Sequence, residues 1–310
     1  MTDQMAIRLE RSTLIVPASR PAMIAKAAMA RADAVCIDCE DAVAPDMKTD
    51  ARVNVVEALN TLNFGDKLRQ VRINALDTEY AYRDLIDIIE GAGQNLDLVV
   101  LPKANRAEDI HFVDTLLRQI ETACKLPRPI GIGALIETAE GLAHIQDIAA
   151  SSPRLESLIF GSGDFAASMQ MPLETIGGAD SNDRLYPGHR WHFAWQAIIV
   201  AARANGLRAI DGPYADIRDS EGLDQFARMG RALGFDGKWC IHPSQPSLVD
   251  AVYSPTDAEY RHAQRVIEAY NAALEKGTGA ITVDGKMVDA ANLKMCRHIL
   301  AKAEKARAQA

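Results

Sequence analysis

The sequence has no apolar run approaching the roughly 20 residues needed to cross a bilayer. Its opening stretch, MTDQMAIRLERS, is charged and holds none of the apolar core of a secretory signal. These two absences set membranes aside as partners and make a cytoplasmic location the expectation. Cysteine is scarce, with five residues, odd in number and scattered, so no disulfide framework is expected and a reducing compartment suits the chain. Cys36 and Cys39 do read as C-x-x-C, but inside an apolar run with the character of a strand. Residues three apart on a strand face opposite sides, which argues against a metal or redox pair. There is no Walker-type phosphate loop and no G-x-S-x-G elbow. Positive charge is also in deficit: 34 Lys and Arg stand against 42 Asp and Glu, a formal net charge of −8. Such a surface repels nucleic acid, so any anionic substrate must be drawn in by local cations.

What is present is a regular alternation. Of the 310 residues, 48% are hydrophobic and 25% charged, the balance of a globular protein with a large core. Eight short apolar runs recur: Thr13–Pro17, Ala34–Cys39, Gln70–Asn74, Leu98–Pro102, Gly131–Ile136, Leu155–Gly161, Leu207–Asp211 and Lys238–His242. Segments with apolar residues three and four apart separate them, such as Ala81–Gly91 and Ile110–Ala123. Strands alternating with helices predict a parallel sheet, and eight such units close into a (β/α)8 TIM barrel, an α/β fold, over residues 1–276. A helix from Asp257 to about Lys276 is expected to close it. Residues 277–310 then form an extension: a Gly-punctuated hairpin turning at Asp284-Gly285 and a helix over about Asp289–Lys305. This piece is too small to fold alone and must pack on its own barrel or on a neighbour's.

Most of the runs end on polar or charged residues, and barrel chemistry sits on the C-terminal ends of strands. Glu137 and Asp164 end the fifth and sixth runs, roughly 5 Å apart across adjacent strands. Two such carboxylates either share a hard cation such as Mg2+ or pair separately with Arg or Lys. Around Asp164 the sequence Phe160-Gly-Ser-Gly-Asp-Phe165 exposes backbone amides near Gly163 that suit a substrate carboxylate. Arg72, on the third strand, suits a carboxylate or a developing oxyanion, or a buried salt bridge to Glu40 or Asp41. The two roles are compatible if the carboxylates orient the arginine. Arg20 and Lys26 flank a turn and helix start that suits phosphate, although two cations in such a place are more often solvated surface. His189 and His192 have a spacing found among zinc ligands, but Trp191 between them points to packing. His242 ends the eighth run, with either a catalytic or a structural hydrogen bond.

Taken in order, these segments resemble one family along nearly the full length. They are Val16-Pro-Ala-Ser-Arg-Pro21, Ile37-Asp-Cys-Glu-Asp-Ala-Val-Ala-Pro45 with Lys48, Val71-Arg-Ile-Asn-Ala-Leu-Asp-Thr78 and Leu101-Pro-Lys103. Further on come Ile136-Glu-Thr-Ala-Glu-Gly141, Gly163-Asp-Phe-Ala-Ala-Ser168, Ile210-Asp-Gly-Pro-Tyr214, Gly237-Lys-Trp-Cys-Ile-His-Pro243 and Asp284-Gly-Lys-Met-Val-Asp289. The set resembles the citrate lyase β-subunit-like enzymes of the HpcH/HpaI aldolase superfamily, and within it the malyl-CoA/β-methylmalyl-CoA lyases. The resemblance implies Mg2+, or Mn2+ in its place, on Glu137 and Asp164. It implies Arg72 facing the reacting oxygens, and Arg20 and Lys26 touching the CoA. It implies Asp289 as an acid/base on a tail that reaches a neighbouring subunit, hence a homotrimer or homohexamer. The implied partners are a CoA thioester and a small 2-oxo acid. Ala18 and Cys39 depart from the common pattern, where Gly and an aliphatic residue are usual, and Ala18 puts the CoA turn in question. The rival readings are a citramalyl-CoA lyase, a malyl-CoA thioesterase and a subunit of a citrate lyase complex.

Overall fold

The structure is a computed structural model that describes residues 8–185, 189–275 and 277–308, without the side chain of Arg184. The first seven residues of the opening stretch and Lys276 lie outside the described residues. The described residues divide into two compact units, one within Glu10–Asp250 and a second formed by those from Ala251 onwards with Arg8 and Leu9.

The larger unit is the barrel. Its strands are β1 (Ser12–Pro17), β2 (Ala34–Asp38), β3 (Leu68–Arg72), β4 (Leu98–Leu101), β5 (Gly131–Ile136), β6 (Leu155–Phe160), β7 (Arg208–Asp211) and β8 (Gly237–Cys240). They pair in sequence order, all parallel, and β8 closes on β1 through Ser12↔Lys238, Thr13↔Trp239 and Leu14↔Cys240. Each of the eight apolar runs contains or overlaps one of these strands. They are nearly continuously apolar because a parallel strand in a barrel is covered on both faces.

Alternation along each strand sorts the side chains. Ile15, Cys36, Val100, Leu135, Ile159, Ile210 and Trp239, one from each strand except β3, meet in a single cluster. That convergence marks the barrel interior, a packed layer of side chains and not a channel. The alternate residues of β3 are polar instead. Gln70 donates to Glu10 Oε1 at 2.6 Å, and Arg208 donates to Glu10 Oε2 at 2.8 Å, so a buried polar group lies on the N-terminal side of the apolar layer. Two residues on, Arg72 lies level with Asp38 of β2, on the C-terminal side. Outside the wall, the helix Ala81–Ala92 buries Leu85, Ile88 and Ile89 at helical spacing, as its pattern predicts. Its Asp84 accepts from the Asn74 backbone N–H at 2.8 Å and the Asn74 amide at 2.6 Å, which pins the loop after β3.

The smaller unit joins the helices Asp257–Leu274 and Ala290–Ala308 through a hairpin of β9 (Ile281–Val283) and β10 (Lys286–Val288). Its core is Ala263, Val266, Tyr270, Val288, Leu293 and Cys296. The helix expected to close the barrel therefore shares a core with the tail. The hairpin turns at Asp284 and Gly285, both at positive φ (50° and 77°), as the Asp-Gly pair predicts.

Candidate active site

The C-terminal mouth of the barrel gathers the charged strand ends. Arg72 is nine-tenths buried and is gripped by Asp38, with Nε donating to Oδ1 at 2.7 Å and Nη2 to Oδ2 at 2.6 Å. Its remaining nitrogen, Nη1, reaches Glu40 Oε2 at 2.9 Å and Asp41 Oδ2 at 3.5 Å. Its flat cation also lies 5.8 Å from the centre of the Trp239 ring, over the apolar layer. The arginine thus forms the buried salt bridge to Glu40 that the sequence suggested, while Asp41, the other candidate, is an exposed and longer-range partner. Its main partner, however, is Asp38, fully buried on the adjacent strand. Strand alternation held the signal: Asp38 and Arg72 both end inward-facing rows.

The loop that carries Glu40 and Asp41 is held by Lys48, whose ammonium donates to the carbonyls of Cys39 (2.8 Å) and Glu40 (2.7 Å). Glu40 also receives Lys103 Nζ at 2.5 Å. Burial pushes the Glu40 carboxyl up, and Arg72 and Lys103 pull it back.

Glu137 follows β5 directly and is 3% exposed. Its Oε1 accepts the Lys103 backbone N–H at 2.9 Å, and Oε2 accepts no hydrogen bond among the described residues. Burial raises its pKa to about 8, with repulsion from Glu40 and Asp164 adding to the rise and Arg72 opposing it. Gly161 makes room for this carboxylate. A Cβ there would lie 2.4 Å from Glu137 Oε2 and 2.6 Å from Glu137 Cβ. Asp164 is half-buried in the first turn of the helix Ser162–Ser168, one residue after Gly163. Among the described residues Asp38, Glu40 and Asp41 pair with two cations, Arg72 and Lys103, while Glu137 and Asp164 add two further carboxylates that repel each other. Oxygen donors in excess of cations, with one oxygen of the buried Glu137 residue unengaged, fit a hard divalent cation. Among the described residues no three His, Cys, Asp or Glu form a complete metal cage. Mg2+ does not require one, since it commonly uses one or two carboxylates with water and substrate oxygens.

Arg20 and Lys26 are both exposed, at the N-cap and in the last turn of the helix Pro21–Met29, and neither has an ion pair among the described residues. The turn before them holds Ala18 without positive φ, so it does not require glycine; the Ala18 N–H donates to Asp38 O at 2.8 Å. Cys36 and Cys39 are buried free thiols, pushed up by burial, and Cys36 lies in the apolar layer. His189 packs on Trp195 and Phe226, at 4.5 and 5.6 Å between ring centres, while His192 is exposed. His242 Nδ1 meets Ser244 Oγ at 2.8 Å in the exposed turn after β8. In the smaller unit Asp289 caps the last helix, its Oδ1 accepting from the N–H groups of Ala291 (2.9 Å) and Asn292 (3.2 Å). Asn292 Oδ1 in return accepts the Asp289 N–H at 3.0 Å. This reciprocal box leaves Asp289 Oδ2 without a hydrogen bond among the described residues.

The model of the HpcH/HpaI aldolase/citrate lyase family matches residues 11–243, the span that builds the barrel and its mouth. The chain belongs to this family. It is also 43% identical over 303 residues to the L-malyl-CoA/β-methylmalyl-CoA lyase of Cereibacter sphaeroides, covering 96% of this chain and 95% of that protein. It is 37% identical over 298 residues to the (3S)-malyl-CoA thioesterase of the same species, covering 95% and 94%. Among solved structures it resembles CitE from Mycobacterium tuberculosis in complex with magnesium, acetoacetate and coenzyme A. That likeness has a TM-score of 0.75 and 31% identity, and covers 96% of this chain and 100% of that one. The chain is by class a carbon–carbon lyase.

Proposed function

We propose that this chain is a Mg2+-dependent acyl-CoA lyase that splits L-malyl-CoA or β-methylmalyl-CoA into glyoxylate and acetyl-CoA or propionyl-CoA, and runs in reverse. The observation that carries this reading is the pair Glu137 and Asp164 at one barrel mouth beside a locked Arg72. Likeness to lyases of that name and to a magnesium-bound relative supports it.

Glu137 and Asp164 would hold the ion. Bound there, Mg2+ supplies Lewis-acid polarisation of the 2-oxo acid. In the condensing direction Asp289, through its free Oδ2, takes a proton from the acyl-CoA α-carbon. The electron pair left behind forms the new bond to the glyoxylate carbonyl carbon. Negative charge passes to the former carbonyl oxygen, which Arg72 faces and solvent protonates. Cleavage reverses each step: the oxygen loses its proton, the carbon–carbon bond breaks, and Asp289 returns a proton to carbon. Glu40 and Asp41 orient Arg72, amides around Gly163 receive the glyoxylate carboxylate, and Arg20 and Lys26 bind the CoA phosphates. The extension 277–310 brings Asp289 to a neighbouring subunit's mouth in a homotrimer or homohexamer. Mn2+ substitutes for Mg2+.

The test supplies the purified chain and Mg2+ with malyl-CoA, β-methylmalyl-CoA and citramalyl-CoA separately, and measures glyoxylate, pyruvate and free CoA. Glyoxylate with the thioester intact, abolished by chelation, is expected. Free CoA without a 2-oxo acid means thioester hydrolysis and overturns the reading; pyruvate from citramalyl-CoA alone reassigns the substrate.

A further inference from the structure

Lys103 has the most unusual backbone at the mouth. It follows β4 at φ 48°, in the left-handed region that lysine rarely adopts, while Ala104 next to it is tied by its N–H to Leu135 O at 3.2 Å. A non-glycine residue stays in that region only where its surroundings hold it, and such residues cluster at functional sites. Here the turn has two effects. It aims the Lys103 N–H at Glu137 Oε1 (2.9 Å), and it sends the ammonium back across the mouth to Glu40 Oε1 (2.5 Å) and towards Asp41 (3.8 Å). The opposite oxygen of Glu40 is the one bonded to Arg72.

We propose that Lys103 is a positioning residue that fixes the Mg2+-binding carboxylate and the charge-stabilising arginine relative to each other. Its N–H holds one oxygen of Glu137, so that the other faces the ion. Its ammonium holds the Glu40 carboxylate in place, so that Glu40 keeps Arg72 Nη1 aligned. One residue thereby links the three strand ends β2, β4 and β5 to the guanidinium of β3. The proposal rests on the reading of Glu137 as a magnesium ligand.

The two effects separate by substitution in the full-length protein. Lys103→Met removes the ammonium and keeps the length. Lys103→Arg restores a cation. Lys103→Gly tolerates the positive φ and keeps the N–H. Lys103→Val, β-branched, resists that conformation. Mg2+ affinity is measured by calorimetry, turnover by the malyl-CoA assay and folding by circular-dichroism melting. Lys103→Met is expected to lose roughly 10- to 100-fold in kcat with KM and Mg2+ affinity changed less than about threefold, the size of effect typical of a residue behind a metal site. Lys103→Arg should recover most of that kcat. Lys103→Gly should bind Mg2+ like the parent, and Lys103→Val about tenfold or more weakly. Parental kcat in Lys103→Met, or equal Mg2+ affinity in folded Gly and Val variants, overturns the proposal. Should the Val variant not fold, Lys103→Met and Lys103→Arg decide it through the kcat-against-KM split. A parent chain that neither binds Mg2+ nor cleaves malyl-CoA overturns the functional reading itself, and this proposal with it.

Discussion

Asp38 and Arg72 lie level on adjacent strands, joined by two hydrogen bonds of 2.7 and 2.6 Å, with Asp38 fully buried. Asp38 also accepts the N–H of Glu40 at 2.9 Å, so it fixes the arginine and the arginine's next partner together. Taking one partner from a buried ion pair leaves the other charge uncompensated, which costs about 3–5 kcal/mol. Asp38→Ala should lose ~3 kcal/mol in urea denaturation, the low end because Glu40 remains beside Arg72. Its kcat should fall roughly 10- to 100-fold. Parental stability would show that Glu40 and Asp41 suffice to hold the guanidinium.

Gly161 meets the Glu137 carboxylate so closely that a methyl group forces the carboxylate to move. Gly161→Ala should weaken Mg2+ binding by about 10- to 100-fold, measured by calorimetric titration. Its far-ultraviolet spectrum should match the parent's, because the shift needed to clear the Glu137 carboxylate and its Cβ is local to the ends of β5 and β6. Unchanged affinity would remove Glu137 from the metal site.

Asp289 lets capping and chemistry be separated. Asp289→Asn keeps an oxygen for the Ala291 and Asn292 N–H groups, so its melting temperature should stay within about 2 °C of the parent. Asp289→Ala loses the cap as well, worth about 0.5–2 kcal/mol. Both should lose most turnover while binding Mg2+ normally. Normal turnover in the asparagine variant would end the acid/base assignment.

His189 provides a pH test away from the mouth. Burial lowers its pKa to about 4, with His192, Arg190 and Lys238 acting the same way and Asp183 opposing. Unfolded, the same imidazole titrates near 6.5. Between these values the unfolded chain binds the extra proton, so stability is complete above about pH 6.5 and falls as pH drops towards 4. His189→Phe retains an aromatic ring against Trp195 and Phe226 and cannot titrate. Denaturation midpoints at pH 7, 5.5 and 4.5 should therefore fall less steeply with acid than the parent's. Equal slopes would locate the acid sensitivity elsewhere, and not in Asp250, whose carboxyl burial raises to about 6, the opposite direction.

The barrel was legible because two physical signals agree along the chain: apolar runs of strand length, and helical spacing such as Leu85, Ile88 and Ile89 between them. The strand-end rule also drew attention to Arg72, Glu137 and Asp164. The pairing within the mouth was less legible. Asp38 is embedded in an apolar run; alternation turns it inward, but the parallel register is what sets it level with Arg72 and names its partner. Lys103 directly follows the fourth apolar run, but its positive φ belongs to the backbone, and a Leu-Pro-Lys sequence carries no sign of it. The grouping of the helix Asp257–Leu274 with the tail depends on which face of that helix each neighbour covers, and amphipathic spacing does not name the neighbour.

The cap formed by Asp289 has a consequence for how related chains are compared. A helix of this length favours Asp, Asn, Ser or Thr at its N-cap for stability alone, whatever reaction the protein performs. On the proposed reading of Asp289 as the acid/base, selection for folding and selection for turnover fall on one position. A lineage that had drifted out of catalysis would still hold a short polar residue there. Aspartate at this position is weak testimony of an active descendant, whereas asparagine or serine, keeping the helix and discarding the acid, would be the recognisable trace of a retired one.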